Sequence, residues 1–255
     1  MMFKNLLIVL SLSSLSLCLK DYDYYAFASE WPGGVCKFRD CTEDSTQGDT
    51  FNMHGLWPNA DSGRHPFYCS SVPTNFNGLP GDLKSQLLHY WSGLYSSQAT
   101  FLDHEWTKHG TCWRSDYGEV TSMPASVQGL LKEIRTHDQN SADFLRFAIT
   151  LLKEEYNLFD ILGQSGIVPS TTRTYTFAEI KNAIKQTFGK GVVDTFKIKC
   201  NLKKGGIAYL TEIWLCLDKN YQPIDCRFKV GTSCTTTGII YAPHESRVQA
   251  KARLF

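Results

Sequence analysis

Residues 101 to 112 read FLDHEWTKHGTC and place His104, Glu105, Lys108 and His109 within six positions. A zinc helix of the H-E-x-x-H kind sets its histidines four apart, so that about 40° of helical rotation leaves both imidazoles on one ion. Here they stand five apart. On an ideal helix that is about 140°, which points the two rings to different sides and argues against a shared metal; no cofactor is expected. Helical spacing instead stacks Glu105 one turn from His109, and His104 one turn from Lys108. A carboxylate beside an imidazole orients the ring and strengthens its hold on a proton, and a lysine neutralises charge developing on phosphate oxygens. The set suits an anionic transition state, and a phosphodiester fits.

Cleaving a phosphodiester takes a second proton-transfer group on the far side of the phosphorus. FNMHGLWPN, residues 51 to 59, supplies it in His54. Gly55 permits close backbone approach, and Trp57 offers a face on which a base can stack. Each residue has a plainer reading. A lone histidine in an apolar strand is more often structural, His104 and Lys108 alone would pass for a solvated helix face, and Trp57 alone for core. Taken together they are harder to dismiss. Three of the seven histidines fall in two short segments crowded with Glu, Lys and Trp, which burial alone does not require.

The elements that must position these groups follow from the hydrophobic pattern. DYYAFASEW and DTFNMHGLW have the aromatic content and partial alternation of strands, and the second stops at Pro-Asn. After a Gly-, Pro-, Asn- and Ser-rich loop, Leu83, Leu87, Leu88, Trp91 and Leu94 recur at helical spacing from Asp82 to about Ser96. The FLDHEWTKHGTC segment is read as another helix, closed by Gly110. Further helices are expected in ASVQGLLKEIRTH, in SADFLRFAITLLKEEY, and in TFAEIKNAIKQTFG, where Thr176 and Glu179 make a capping box. VDTFKIKC and GGIAYLTEIWLCLDKNYQPIDCRF read as strands, with a hairpin near DKNYQP. Strands, then helices, then strands indicate an α+β fold: an antiparallel sheet packed with several helices in a single domain.

With 255 residues the chain suits one domain of generous size. Lys4 precedes an apolar, Ser-rich run from Leu6 to Leu17, which reads as a signal peptide of residues 1–18 cut after Cys18. The run is shorter than the roughly 18 to 20 residues that span a bilayer, so no stable membrane association is expected. Residues 19–255 then form the mature domain, with a polar, basic tail from 243 to 255. Cleavage leaves eight cysteines, Cys36, Cys41, Cys69, Cys112, Cys200, Cys216, Cys226 and Cys234. Even parity in an exported chain favours disulfides, but eight cysteines allow 105 pairings and spacing alone does not choose among them. Lys plus Arg number 26 and Asp plus Glu 25, so no global field gathers polyanions, and a nucleic acid must be held by local contacts.

FNMHGLWPN and FLDHEWTKHGTC resemble the two active-site segments of the ribonuclease T2 family, secreted acid endoribonucleases that include the plant self-incompatibility enzymes. The resemblance extends to WPGGVC and to the cysteine pattern, over roughly residues 22 to 240. It implies a metal-independent enzyme that cuts single-stranded RNA through a 2′,3′-cyclic phosphate and leaves DNA intact. By the resemblance His109 is the general base and His54 the general acid. Glu105 and Lys108 stabilise the phosphorane, and His104 holds a phosphate. Trp57 maps to the stacking residue of the first base site and Phe101 to that of the second. Glu30 stands where Gln is frequent, near the second site, while His65 and Asn59 stand where Tyr and Asp are frequent, near the first. Stacking tolerates any base, so low base specificity is expected. The implied disulfides are Cys36–Cys41, Cys69–Cys112, Cys200–Cys234 and Cys216–Cys226. An acid optimum is expected from one neutral and one charged imidazole with reference pKa near 6.5. The expected location is extracellular, or a lysosomal or vacuolar lumen, and the expected state a monomer. Two competitors differ in class: a zinc hydrolase built on His104, Glu105 and His109, and a binding or toxin-like protein whose role does not depend on catalysis.

Overall fold

The two N-terminal aromatic stretches form β1 (Tyr24–Glu30) and β2 (Asn52–Asn59), and the last third forms β3 (Lys197–Leu202) and β4 (Ala208–Leu217). They stand in the order β2-β1-β4-β3, each antiparallel to its neighbour. The computed structural model describes residues 21–42, 50–114, 118–136, 140–189, 196–203, 206–227, 233–234 and 238–244. The signal-peptide reading and nearly all of the basic tail lie outside them.

β1 is buried at every position, as a central strand covered on both faces must be. One of its faces carries Tyr25 and Phe27, which pack on Tyr221 and Tyr156 of the core at ring separations of 5.0 and 5.4 Å. The other carries Ala26, Ala28 and Glu30, because successive side chains alternate. Ala26 faces Trp57 on β2, and Ala28 faces Trp214 on β4. Two small residues thus leave room for two indoles on the functional face.

Among the described residues the α-helices are α1 (Pro32–Val35), α2 (Gly81–Tyr90), α3 (Gln98–Lys108), α4 (Ala125–Ile134), α5 (Ser141–Thr150), α6 (Leu158–Gln164) and α7 (Phe177–Phe188). α5 is the central one. Its Phe144 meets Trp91, Trp106 and Trp113, and its Phe147 meets Trp113 and Tyr221. The capping box at Thr176 and Glu179 is present, with Thr176 N–H donating to Glu179 and Glu179 N–H to Thr176 Oγ1.

Several boundaries differ from the expectation. α2 stops at Tyr90 rather than near Ser96, because Gln98 holds the Trp91 carbonyl and the Gly93 amide and turns the chain. The helix over SADFLRFAITLLKEEY widens after Thr150 into one π turn, Leu151–Glu155. α1 and α6 are too short to show a hydrophobic period. The sheet is mixed, since the two-residue strands β5 (Pro223–Ile224) and β6 (Ile239–Ile240) both join β4, the first antiparallel and the second parallel.

Among the described residues four disulfides are formed, Cys36–Cys41, Cys69–Cys112, Cys200–Cys234 and Cys216–Cys226. Cys69–Cys112 spans 43 residues and is reinforced by backbone contacts, with Tyr68 N–H donating to the Lys108 carbonyl and Cys69 N–H to Thr111 Oγ1. Together they bind the loop after β2 to the end of α3. Replacing both cysteines by alanine is expected to lower unfolding free energy by about 2–4 kcal/mol in guanidinium titrations. An unchanged midpoint would show that the backbone contacts hold the loop unaided.

Candidate active site

His54 stands at a break in β2. Ala28 faces Gly55 while Ser29 faces Met53, which leaves His54 without a partner on β1, as the extra residue of a β-bulge. A bulge re-aims a side chain and bends the strand. The bend is fixed from below, because Trp91 donates its indole N–H to the His54 carbonyl at 3.2 Å, and the Asn52 side chain takes both the N–H and the carbonyl of Ser92.

The imidazole enters a gap between two carboxylates. Its Nδ1 is sealed from solvent and lies 3.5 Å from Glu30 Oε1 on β1 and 3.5 Å from Glu212 Oε2 on β4. Both distances exceed an ordinary hydrogen bond, so the attraction is chiefly electrostatic. Burial alone would push His54 down, but Glu212 and Glu30 outweigh it and raise it to about 9. Burial pushes Glu30 up, with partial relief from His54. Burial would also push Glu212 up, but His54 and Lys199 outweigh it and hold it at about 2. Lys199 Nζ is 2.7 Å from Glu212 Oε1, and Trp214 donates its indole N–H to Glu212 Oε2 at 2.5 Å.

α3 brings the second group. Ser97 caps its N-terminus by accepting from Thr100 N–H, and His109 closes its other end. Glu105 is buried, and its Oε2 accepts the Trp57 indole N–H at 2.7 Å. Burial pushes Glu105 up to about 7, against the opposing pull of His54 and Trp57. His109 moves the other way. Burial, then the positive charges of Lys108, His104 and His54, push it down to about 3. His104 is exposed and is lowered more modestly by burial and by Lys108.

Trp57 joins the two groups. Its ring lies 4.9 Å from His54, 5.4 Å from His109 and 5.0 Å, edge-on, from Trp214. Gly55 makes this possible, since a Cβ there would overlap both the Trp57 indole nitrogen and the Glu105 carboxylate. Gly110 serves the end of α3 similarly, because a Cβ would run into Trp106 and Phe144.

The spacing argument against a shared ion does not hold in three dimensions. The rings of His104 and His109 are 6.3 Å apart, and one donor atom from each of His104, Glu105 and His109 falls within 4.8 Å of the others. The reason is local: His109 leaves ideal helical geometry, with φ −114° at the helix cap, so the 140° rotation does not apply. Glu30, His54 and Glu212 form a second such group. Either could hold a cation as far as distance goes, although Glu105 already accepts from Trp57 and Glu212 from Lys199 and Trp214.

Of the residues assigned to base sites, Phe101 lies 6.4 Å from His54. Glu30 makes its closest charged contact beneath His54. Asn59 is buried and turns its amide back onto the Trp57 carbonyl at 2.8 Å, and His65 is exposed with Nδ1 accepting from Ala60 N–H. Glu212, Lys199, Trp214 and Lys197 were missed in the sequence. Their signal was available: a glutamate interrupts the apolar run LTEIWLC, and KIK alternates two lysines on a strand. Register supplies the rest, pairing Lys199 with Glu212 and Lys197 with Trp214. Lys197 and Lys199 then lie 4.4 and 4.9 Å over the Trp214 ring.

A sheet face that gathers two imidazoles, buried carboxylates and edge-to-face indoles in an α+β fold defines a phosphodiesterase-like site, and the comparisons with known proteins give its family. The sequence profile of the Ribonuclease T2 family matches residues 22–226. Ribonuclease Oy of Magallana gigas is 34% identical over 218 residues, covering 82% of this chain and 90% of that protein. Extracellular ribonuclease LE of Solanum lycopersicum is 29% identical over 243 residues, covering 92% and 94%. The crystal structure of RNase NT in complex with 5′-AMP superposes with a TM-score of 0.68 at 28% identity, covering 88% of this chain and 100% of the other. The chain belongs to the ribonuclease T2 family and is an RNA endonuclease of that family.

Gly55→Ala is expected to separate Trp57 from Glu105, costing about 1–3 kcal/mol of stability through overpacking. The Trp57 indole proton resonance should move upfield as its bond to the carboxylate is lost, and an unmoved resonance would refute the close-approach argument.

Proposed function

We propose that the protein cuts single-stranded RNA by transphosphorylation, with His109 as general base and His54 as general acid. His109 takes the proton of the 2′-hydroxyl, the 2′-oxygen attacks phosphorus, and the bond to the 5′-oxygen breaks as His54 supplies that oxygen with a proton. The products are a 2′,3′-cyclic phosphate and a 5′-hydroxyl. DNA lacks the nucleophile. The observation that carries the reading is that both imidazoles lie against Trp57, at 4.9 and 5.4 Å, in opposite electrostatic settings: burial and neighbouring cations push His109 down to about 3, and two carboxylates raise His54 to about 9. Across that interval base and acid are both in the form the first step requires.

Lys108 and Glu105 serve the phosphorane, and His104, at the exposed edge of the helix, a phosphate oxygen. Acid preference then has a different origin from the reference imidazole values, because both histidines have moved away from them. It falls to Glu105. Below about 7 its carboxyl is protonated and donates to a phosphoryl oxygen; above that its negative charge opposes the phosphate. Trp57 and Phe101 offer stacking surfaces that accept any base, each contributing on the order of 1–3 kcal/mol, which supports low base specificity. Nucleotide binding by the structural relative RNase NT agrees with this substrate class. Four disulfides support passage through an oxidising, secretory compartment. The protein acts as a monomer and without a metal.

Incubation of mixed-sequence RNA with the mature protein at about pH 5 in excess EDTA is expected to yield 2′,3′-cyclic ends. Loss of cleavage on chelation would instead favour an ion between His104, Glu105 and His109. His54→Ala and His109→Ala should each lower kcat by about 10²–10⁴-fold, and a biological effect that survives either change would assign the role to binding. In Glu105→Gln the decline of rate centred near pH 7 should flatten; a decline that persists unchanged would place it on another group.

A further inference from the structure

Glu30 and Glu212 are direct cross-strand partners on β1 and β4. Like charges in that arrangement oppose folding unless a cation stands between them. One does: His54 Nδ1 lies 3.5 Å from each carboxylate, while Lys199, the cross-strand partner of Glu212 on β3, lies 2.7 Å from the other Glu212 oxygen, on the side away from β1. The chain reaches this arrangement through the bulge in β2, which breaks register at His54. Trp214, two residues along β4, donates to the same Glu212 oxygen that faces His54. A histidine anchored only for packing would need neither the bulge nor a second buried carboxylate.

We infer that Glu212, braced by Lys199 and Trp214, is a positioning residue which, together with Glu30, fixes the His54 ring by its Nδ1 edge and so presents Nε2 to the scissile phosphate. The inference rests on the cleavage reading above. Nδ1 is sealed and faces the carboxylates, so only Nε2 remains to meet a substrate. When His54 gives its Nε2 proton to the leaving oxygen, the neutral ring is left as the Nδ1–H tautomer, which the two carboxylates favour. The arrangement orients the acid before the step and stabilises its correct tautomer after it. The other charged groups around His54 come from α3, where Glu105 attracts its proton and His104 and His109, when protonated, oppose it. Lys199 acts through Glu212.

Imidazole nitrogen–proton correlation spectra of the intact protein across pH test this without RNA. In the wild type, His54 should titrate last of the three site histidines and deprotonate to the Nδ1–H tautomer. Glu212→Gln should lower its midpoint by about one to two pH units, the size of shift a neighbouring carboxylate produces. It should also reduce kcat about tenfold, with KM for RNA within about twofold of wild type, because the acid is misaligned rather than the substrate lost. Lys199→Met should shift the midpoint upward, since Glu212 is then left to His54. This opposite sign carries the test if Glu212→Gln fails to fold. A His54 midpoint and tautomer unmoved in a folded variant, with RNA cleavage intact in the wild type, overturns this inference alone. A wild type that leaves RNA intact overturns the cleavage reading and this one with it.

Discussion

The indole N–H of Trp57 crosses from the sheet to α3 and donates to Glu105, joining two segments 48 residues apart in the chain. A hydrogen bond to a carboxylate in a buried setting contributes roughly 1.5–3 kcal/mol, but its geometric effect is larger than its energy. It sets the distance between the strand that carries His54 and the helix that ends in His109. Other features serve the same bond. Gly55 has no side chain because the indole and the carboxylate occupy its space, and Ala26 is small because Trp57 faces it. The disulfide at Cys112 and the loop contacts at Tyr68 and Cys69 keep the far end of α3 from drifting away from the sheet.

Around that frame the titratable groups are separated by environment rather than by type. Two imidazoles of the same chemistry pack against one indole. His54, beside two carboxylates, is held charged, while His109, among cations and half-buried, is held neutral. Three glutamates are likewise divided: Glu212 is kept ionised by His54 and Lys199, and Glu105 and Glu30 are pushed toward the protonated form by burial. No group far from the cluster is needed to produce this spread. Strand register and one helix end suffice.

Much of the architecture was legible, because long amphipathic helices and aromatic strands announce their periods, and because the two histidine segments are dense in uncommon neighbours. What was not legible depended on register. Glu212 and Lys199 lie ninety or more positions beyond His109 in the sequence, and only antiparallel pairing sets Glu212 beside His54 and Lys199 beside Glu212. The bulge that aims His54 leaves no mark in FNMHGLW. The rotation argument about His104 and His109 failed for a related reason. It assumed a regular helix through a residue that caps one. Short elements such as α1, α6 and β6 offer too few residues for any period to register.

The cluster also shapes how conformational stability varies with acidity. Glu105, raised from 4.5 to about 7, favours the folded chain fully below 4.5 and progressively less as pH climbs through 7. His109, lowered from 6.5 to about 3, favours it fully above 6.5 and less as pH falls toward 3. Between 4.5 and 6.5 the two slopes oppose each other. Outside that interval the attraction between His54 and Glu212, counted once, is lost on both sides. Rising pH through about 9 removes the proton of His54, and falling pH through about 2 neutralises Glu212. These charges therefore give the fold a plateau of stability in mildly acidic solution, independent of any demand made by the chemistry. For these four groups, then, the solution that holds the folded chain best is mildly acidic, between the ordinary carboxylate and imidazole ranges.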